Sequence, residues 1–175
     1  LGDGVGCPIV AGGKVFATGM TGEKTFSVFA FEAVTGKKLW QKDFETGKLP
    51  RITPPNSHAS STPASDGKQV FVYFSTHGLI ALDAKSGEQA WKRSLPSPSY
   101  LMDWGAASSP IVHDGTVYFN QDDDLSPVLF AVDAKCGAIK WTADRSDMLG
   151  GYAVPVICEA NGQTDVVISG SGFLK

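Results

Sequence analysis

The sequence predicts an all-β protein built from repeated four-stranded antiparallel blades, and three observations support this fold class. An eleven-residue frame that begins with Ala and ends with Trp occurs at residues 30–40, 81–91 and 131–141. The three Trp residues that end the frames are spaced by 51 and then 50 residues. Short runs rich in β-branched and aromatic residues alternate with Gly-containing turns, with no helical period of 3.6 residues. Self-similarity at this period is typical of a β-propeller.

The second repeat shows the expected strand pattern most clearly. Its turns are Asp66-Gly67 and Ser86-Gly87, which favour hairpins because Gly adopts a positive φ without steric cost. The run Val-Phe-Val-Tyr-Phe between these turns has high β-propensity. The four strands are expected at residues 61–64, 70–74, 79–83 and 89–95.

The other repeats copy this pattern, and the last one is incomplete. In the first repeat, strands are expected at residues 7–10, 15–17, 27–31 and 38–44. In the third they are expected at 109–112, 116–119, 128–133 and 139–143, and the fourth supplies 153–157 and 165–169. The repeats therefore predict a partial propeller domain over residues 1–175, with blades at approximately 6–44, 60–95, 108–144 and 152–175.

The Trp that ends each frame lies near the start of an outer strand. Its large apolar face is expected to pack against the next blade, because residues common to all repeats usually serve the stacking of repeats. Interblade packing is therefore favoured over a ligand-binding role for Trp40, Trp91 and Trp141.

Composition and charge exclude several classes of protein. Hydrophobic residues make up 42% of the 175 residues and charged residues 19%, whereas disorder needs low hydrophobicity and high charge. The net charge of −3 lacks the basic footprint of a nucleic-acid-binding protein, and no apolar run approaches the ~20 residues of a membrane span. Cys7, Cys136 and Cys158 are widely spaced, which argues against zinc or thioredoxin-like sites. The sequence opens at Leu1 without a signal peptide and ends at Lys175 without a terminating feature, so we expect a segment of a longer chain.

The repeated frame resembles the tryptophan-docking motif of quinoprotein dehydrogenase-like (PQQ-like) propellers, Ala-x-Asp-x-x-Thr-Gly-x-x-x-Trp. The departures are small: Glu32 replaces Asp, while Ser86 and Cys136 replace Thr. The stretch 56–63, followed by 76–79, is similar to secreted bacterial PQQ-like repeat proteins. The resemblance implies a ring of seven or eight blades, of which about three and a half are present here.

The resemblance leaves two functions open and implies a periplasmic or secreted protein. The favoured one is a non-catalytic binding or scaffold module without a cofactor, as in the propeller lipoprotein that assists outer-membrane barrel assembly. The alternative is a quinone-dependent alcohol or sugar dehydrogenase that uses PQQ and calcium, with its catalytic residues outside this segment. We expect no catalytic residue and no metal ligand in residues 1–175, because no calcium or catalytic motif of the family aligns with them.

Propeller topology divides the loops between two faces. The turns between the first and second strands and between the third and fourth strands share one face and are short here. The other loops share the opposite face, which we call the long-loop face: 20–25, 45–60, 76–77, 96–106, 121–127 and 145–151. Because function concentrates on loops carried by a rigid scaffold, we expect a protein, small-molecule or carbohydrate ligand on this face.

Two histidines of the second repeat are candidates on the long-loop face. His58 precedes an inner strand and is expected near the central funnel, and His77 lies in the same blade. A His pair can bind a metal or move protons. The favoured interpretation is a histidine that hydrogen-bonds to loop backbone, because the pair has no carboxylate partners. His113, beside the Asp114-Gly115 turn, is expected on the opposite face in solvent.

The third repeat supplies the remaining candidates. Asp103 and Trp104 could place a carboxylate and an aromatic platform at the funnel, although a packed Trp with a capping Asp is favoured. Gln121 and Asp122 open an oxygen-rich loop that continues to Asp124. Calcium needs six to eight oxygen ligands, and three consecutive Asp side chains cannot all face one ion. A solvated acidic loop is therefore the favoured interpretation.

Overall fold

The computed structural model describes residues 1–148 and 150–170. Within these ranges the chain forms β-strands and turns and no helix. Three four-stranded antiparallel sheets follow one another, each with its strands in sequential order, and a two-stranded hairpin follows them. The all-β fold of antiparallel blades predicted from the repeat is confirmed.

The strands lie close to their predicted positions. Blade 1 contains β1 (Ile9–Ala11), β2 (Lys14–Gly22), β3 (Thr25–Glu32) and β4 (Lys38–Glu45). Blade 2 contains β5 (Ala64–Ser65), β6 (Gln69–Phe74), β7 (Gly78–Asp83) and β8 (Gln89–Arg93). Blade 3 contains β9 (Ile111–His113), β10 (Thr116–Gln121), β11 (Val128–Asp133) and β12 (Ile139–Asp144), and the hairpin contains β13 (Val156–Ala160) and β14 (Gln163–Val167). Residues 171–175 of the expected fourth blade, and Leu149 of the loop before it, lie outside the described residues.

The eleven-residue frame encodes one local structure in each blade. The Asp83 carboxylate accepts the backbone N–H groups of Lys85 and Ser86 at 2.9 and 2.7 Å and so shapes the turn between β7 and β8. The first residue of the frame pairs with the last, Ala81 with Trp91, and a β-bulge follows immediately. The same bulge occurs in blades 1 and 3. The Ala at this position is completely buried. Its small side chain and the bulge beside it leave room for the indole on the paired strand.

Blades 1 and 2 each contact the next blade through their Trp. The Trp91 indole N–H donates to the Ala134 carbonyl at 2.8 Å, and Trp40 donates to Ala84 at 3.3 Å. A Cβ on Gly137 would lie 2.6 Å from the Trp91 ring, and the φ of Gly137 is 71°. Gly is therefore required for both the close approach and the backbone conformation. Trp141 is 44% exposed, whereas Trp91 is 8% exposed.

Apolar side chains fill the space between adjacent blades. Between blades 1 and 2, Phe26 and Phe74 stack with ring centroids 4.4 Å apart. Between blades 2 and 3, Tyr73 packs on Phe119 at 4.2 Å. These pairs lie in two clusters of buried residues, one for each blade interface, as expected for a protein whose repeats bury their faces against neighbours.

The inner strand of blade 2 is shorter than predicted, because the residues before it bond across blades. The Thr62 N–H donates to Ser109 Oγ at 2.9 Å, and the Cys7 N–H donates to Thr62 Oγ1 at 3.0 Å. The Ser61 hydroxyl donates to the Ser108 carbonyl at 2.5 Å. Strand β5 therefore begins only at Ala64. These bonds link equivalent positions of three successive repeats.

The predicted loop at residues 20–25 is also wrong. Strand β2 continues to Gly22 and β3 begins at Thr25, so the two strands form a tight hairpin. The Ser27 hydroxyl bonds to Thr21 and donates to Asp43 at 2.7 Å. These bonds join β2, β3 and β4 near the hairpin.

Substitution Trp91→Ala in the full-length protein is expected to lower the free energy of unfolding by ~3–5 kcal/mol, because it empties a large buried volume and removes the bond to Ala134. Urea denaturation would measure this loss. Val34→Ala serves as the control, since Val34 is 94% exposed and should change the stability by less than ~0.5 kcal/mol. A Trp91→Ala loss below ~1 kcal/mol would contradict a stabilising role for this contact.

Residues 1–175 expressed alone are expected to self-associate. Trp141 has no cover among the described residues comparable to that of Trp91, and Val10 and Val156 are also exposed. Contiguous exposed apolar surface promotes association. Sedimentation velocity over a range of concentrations would reveal this. A monomer at every concentration, with one sharp thermal transition, is the result that would rule it out.

Candidate functional site

Two long loops on the long-loop face are bonded to each other. The first precedes blade 2 and the second precedes blade 3, and we call residues 46–60 and 94–107 the paired loops. The Thr53 N–H donates to the Asp103 carbonyl at 2.7 Å, and the Thr53 hydroxyl donates to the Met102 carbonyl at 3.0 Å. The Asn56 amide donates to the Trp104 carbonyl at 3.1 Å. These bonds fix the tip of the second loop against the first.

The tip of the second loop has an unusual backbone conformation. Asp103 has φ of 52° and Gly105 has φ of 82°. A Cβ on Gly105 would lie 2.8 Å from the Ile52 side chain. Non-glycine residues with positive φ cost energy and often occur at functional sites. The bonds from Thr53 hold Asp103 in this conformation.

The paired loops enclose a cavity of about 380 Å³, which we call the loop pocket. This volume lies within the ~300–1,000 Å³ typical of small-ligand sites. Blade 2 contributes Ser75 and Thr76 to the wall. The remaining lining residues come from the paired loops: Lys48, Leu49, Pro50, Arg51 and His58 from the first, and Ser97, Pro98, Ser99, Tyr100, Asp103, Gly105 and Ala106 from the second.

The ionisable groups of the loop pocket include two with perturbed pKa values. Burial lowers the pKa of His58, while the nearby Asp3 carboxylate opposes that change. Burial also raises the pKa of Tyr100, with Tyr152 and the carboxylates of residues 122–124 adding to the effect. Arg51 Nε lies 3.6 Å from Asp103 Oδ2, and both side chains are exposed. At neutral pH the cations of the pocket are therefore Lys48 and Arg51.

A second cavity lies where the four repeats approach each other, and we call it the funnel pocket. Four of its lining residues, Val5, Ser60, Ala107 and Tyr152, each lie three positions before the Pro that directly precedes the first strand of a repeat. Asn56 and Trp104 complete the lining, and the volume is about 450 Å³. The Trp104 ring centroid lies 6.5 Å from that of Tyr152. The funnel pocket therefore presents aromatic surface with amide and hydroxyl groups beside it.

The two candidate histidines have different environments. His58 lines both the loop pocket and a shallower neighbouring cavity. His77 is buried, with one ring nitrogen 2.9 Å from the Thr76 hydroxyl and the other 3.2 Å from the Glu45 carbonyl. It also packs edge-on against Phe26. His77 is thus a packed histidine bonded to loop backbone.

The acidic loop is buried, so the expectation that Asp122, Asp123 and Asp124 form a solvated loop is wrong. Asp122 is completely buried and accepts two bonds from Arg145, at 2.6 and 2.9 Å, and one from Asn120 at 2.8 Å. The preceding Gln121 is also buried and accepts a bond from the Tyr73 hydroxyl at 3.2 Å. A paired and bonded carboxylate of this kind tolerates burial.

Asp123 and Asp124 brace the second paired loop. Asp123 accepts the Ser99 N–H at 3.0 Å, and Asp124 accepts the Leu101 N–H at 2.8 Å. The Asp124 N–H donates in return to the Ser99 carbonyl at 2.9 Å. The loop tip is therefore held on one side by Thr53 and Asn56 and on the other by two buried or partly buried carboxylates.

The contacts of the acidic loop bear on whether its carboxylates are available to a calcium ion. Calcium needs six to eight oxygen ligands, and the carboxylates of residues 122–124 already accept internal bonds. In residues 1–148 and 150–170, no group of three His, Cys, Asp or Glu side chains is placed to hold a metal ion. The carboxylates of the acidic loop are therefore committed to internal hydrogen bonds rather than to an ion. The described residues include no helix that could cross a membrane.

Several residues of the site cannot be singled out from the sequence alone. Nothing in the sequence pairs Arg145 with a carboxylate 23 positions earlier. Lys48, Arg51 and Tyr100 are ordinary loop residues until the paired loops come together. One signal was available: both loops exceed ten residues, which is uncommon in compact domains unless a loop has a function.

The chain is similar to proteins of two kinds. It is 28% identical over 148 residues to a polyvinylalcohol dehydrogenase of a Pseudomonas species, an alignment covering 75% of this chain and 21% of that protein. It is 29% identical over 174 residues to outer membrane protein assembly factor BamB of Moranella endobia, covering 96% of this chain and 40% of that protein. The chain thus spans less than half the length of these relatives.

Solved structures show the same fold. The crystal structure of BamB from Moraxella catarrhalis matches 97% of this chain and 46% of its own, with a TM-score of 0.62 and 18% identity. Quinohemoprotein alcohol dehydrogenase from Comamonas testosteroni matches 81% of this chain and 21% of its own, with a TM-score of 0.56 and 19% identity. These likenesses identify the fold as part of a β-propeller. The profile of the family described as outer membrane protein assembly factor BamB (PQQ_2) matches residues 24–172, and the chain therefore belongs to this PQQ-like propeller family.

Proposed function

We propose that this chain is part of a non-catalytic propeller that binds a partner protein on its long-loop face, outside the cytoplasm. The observation that carries the proposal is the tip of the second paired loop. Leu101, Met102 and Trp104 are 77%, 63% and 51% exposed there. Aromatic residues and Met are enriched in protein interfaces, and such a group of exposed apolar residues typically marks an interaction site.

The rigidity of the tip supports this proposal. Hydrogen bonds from Thr53 and Asn56 hold it on one side, and Asp123 and Asp124 hold the loop on the other. A surface already fixed in its bound shape loses less entropy on association. An exposed apolar loop that merely lacked a packing partner would not need bonds on both sides.

The family and the relatives add support. Two of the relatives carry the name outer membrane protein assembly factor BamB, which describes an assembly role rather than a reaction. The similarity to outer membrane protein assembly factors also supports an extracytoplasmic location for this chain. The commitment of Asp122 and Asp123 to internal bonds favours a binding role over metal-dependent chemistry in this segment.

The alternative is that the full-length protein is a PQQ-dependent alcohol or sugar dehydrogenase. The similarity to polyvinylalcohol dehydrogenase and to quinohemoprotein alcohol dehydrogenase ADH IIB of Pseudomonas putida favours it. Under this alternative the ligands of PQQ and calcium lie outside the described residues. The aromatic surface of Trp104 and Tyr152 in the funnel pocket would then face a small molecule or carbohydrate.

A photo-crosslinking amino acid at Met102 is expected to give a discrete higher-mass adduct in the cells that produce the full-length protein. The same group at Lys85 is the control, because Lys85 lies in the β7–β8 turn on the opposite face and is exposed. Denaturing gels and mass spectrometry would identify the adduct. Equal adducts at both positions, or none at Met102, would argue against a binding surface on the long-loop face.

Titration of the full-length protein with PQQ and calcium is expected to show no saturable complex, because the proposed function needs neither. Absorbance spectra and a dye-coupled assay with alcohols and sugars would test this, with a quinohemoprotein alcohol dehydrogenase as the positive control. A calcium-dependent complex that oxidises an alcohol or sugar would establish the alternative instead.

A further inference from the structure

Two cations line the loop pocket. Lys48 and Arg51 both belong to its lining, and Asp103 is the one carboxylate among the lining residues. Burial lowers the pKa of His58, so that imidazole is neutral at pH 7. The lining side chains therefore carry one more positive than negative charge, while carboxylates outside the lining act on His58 and Tyr100. A cleft whose lining carries an excess of positive charge attracts anionic ligands.

The other walls of the loop pocket show what kind of anion fits. Leu49, Pro50 and Pro98 supply apolar surface, and Ser97 and Ser99 supply hydroxyl groups. A small inorganic anion would make no favourable contact with the apolar surface. A carboxylate at the end of an aliphatic chain matches both, because its methylene groups contact the apolar wall while its oxygens accept bonds from the basic and hydroxyl groups.

We propose that the loop pocket binds a Glu or Asp side chain from an extended segment of the partner protein, with Arg51 and Lys48 contacting the carboxylate. This inference rests on the proposed function, since the exposed tip residues Met102 and Trp104 lie in the same loop that forms the pocket wall. The apolar tip would contact the partner around the point where the acidic side chain enters.

The Asp103 carboxylate lies beside the Arg51 guanidinium without a hydrogen bond to its Nε. Its oxygen lies 3.6 Å from Arg51 Nε, beyond normal hydrogen-bond length, so Arg51 retains its donors for a ligand. The backbone of Asp103 is fixed, because its N–H donates to Tyr100 and its carbonyl accepts the Thr53 N–H. A bound carboxylate can accept two parallel bonds from the guanidinium, and Asp103 opposes it by charge repulsion.

Isothermal titration calorimetry of the full-length protein tests the proposal. The probe is the blocked peptide acetyl-Ala-Glu-Ala-amide, and its neutral counterpart carries Gln in place of Glu. The Glu peptide is expected to bind, and to bind more weakly as salt increases. The Gln peptide should bind at least about tenfold more weakly, because it lacks the charge for Arg51 and Lys48. Glutarate, a free dicarboxylate, tests whether a small molecule is the preferred occupant.

Three variants separate the pocket from general charge effects. Arg51→Gln should weaken binding of the Glu peptide by up to about fivefold, as expected for an exposed charge. The Arg51 side chain is exposed, so this substitution should leave the fold intact. Asp103→Asn should strengthen binding by a similar factor, because Asn keeps the shape, tolerates a positive φ and removes the repulsion. Lys85→Gln is the matched control, since it removes one positive charge on the opposite face.

Several outcomes would overturn the proposal. Equal affinity for the Glu and Gln peptides would do so, as would equal losses in Arg51→Gln and Lys85→Gln. Glutarate binding more tightly than the peptide would make a free dicarboxylate the occupant. If the Glu peptide fails to bind the unsubstituted full-length protein while the Met102 adduct forms, this inference fails and the proposed function stands. If the Met102 adduct itself is absent, the proposed function fails.

Discussion

The contact between an indole and the glycine of the next blade is the constraint on which this structure depends. Trp91 lies against Gly137 and donates to a backbone carbonyl there, and Trp40 makes the same contact with Gly87. The contact fixes the distance between neighbouring sheets, and the clusters of buried Phe, Leu and Val side chains fill the space it sets. The β-bulge after the paired Ala belongs to the same contact, because it accommodates the indole of the neighbouring strand.

A rigid blade-to-blade contact at one face allows the other face to vary. The turns that carry the glycines are short and formed by local bonds such as those of Asp83, whereas several loops on the long-loop face are long and bond to one another. Thr53 reaches Asp103, and Asp124 reaches Leu101. The exposed tip, the loop pocket and the funnel pocket all arise from these loop-to-loop bonds. The proposed binding surface therefore lies on the face that the interblade contact leaves free.

Sequence patterns predicted most of the fold, because the strands and hairpins are local and occur three times. Details that depend on neighbouring blades were missed: Ser61 and Thr62 bond across blades instead of extending β5. Of the candidate residues, His58 and Asp103 line one pocket, and a binding role for them stays a prediction. The acidic loop was misjudged because adjacent aspartates resemble a solvated patch, and only the fold brings Arg145 to Asp122.

The interblade contact also bears on how such a ring can change over evolutionary time. What Trp91 meets in the next blade is a main-chain carbonyl and a residue without a side chain. Neither partner requires a complementary side chain that must mutate together with the Trp. Gly36 in blade 1 has the same backbone conformation, with φ of 70°. A duplicated or exchanged blade would therefore meet an identical attachment point at either boundary, so gene duplication could lengthen the array without redesigning its joints.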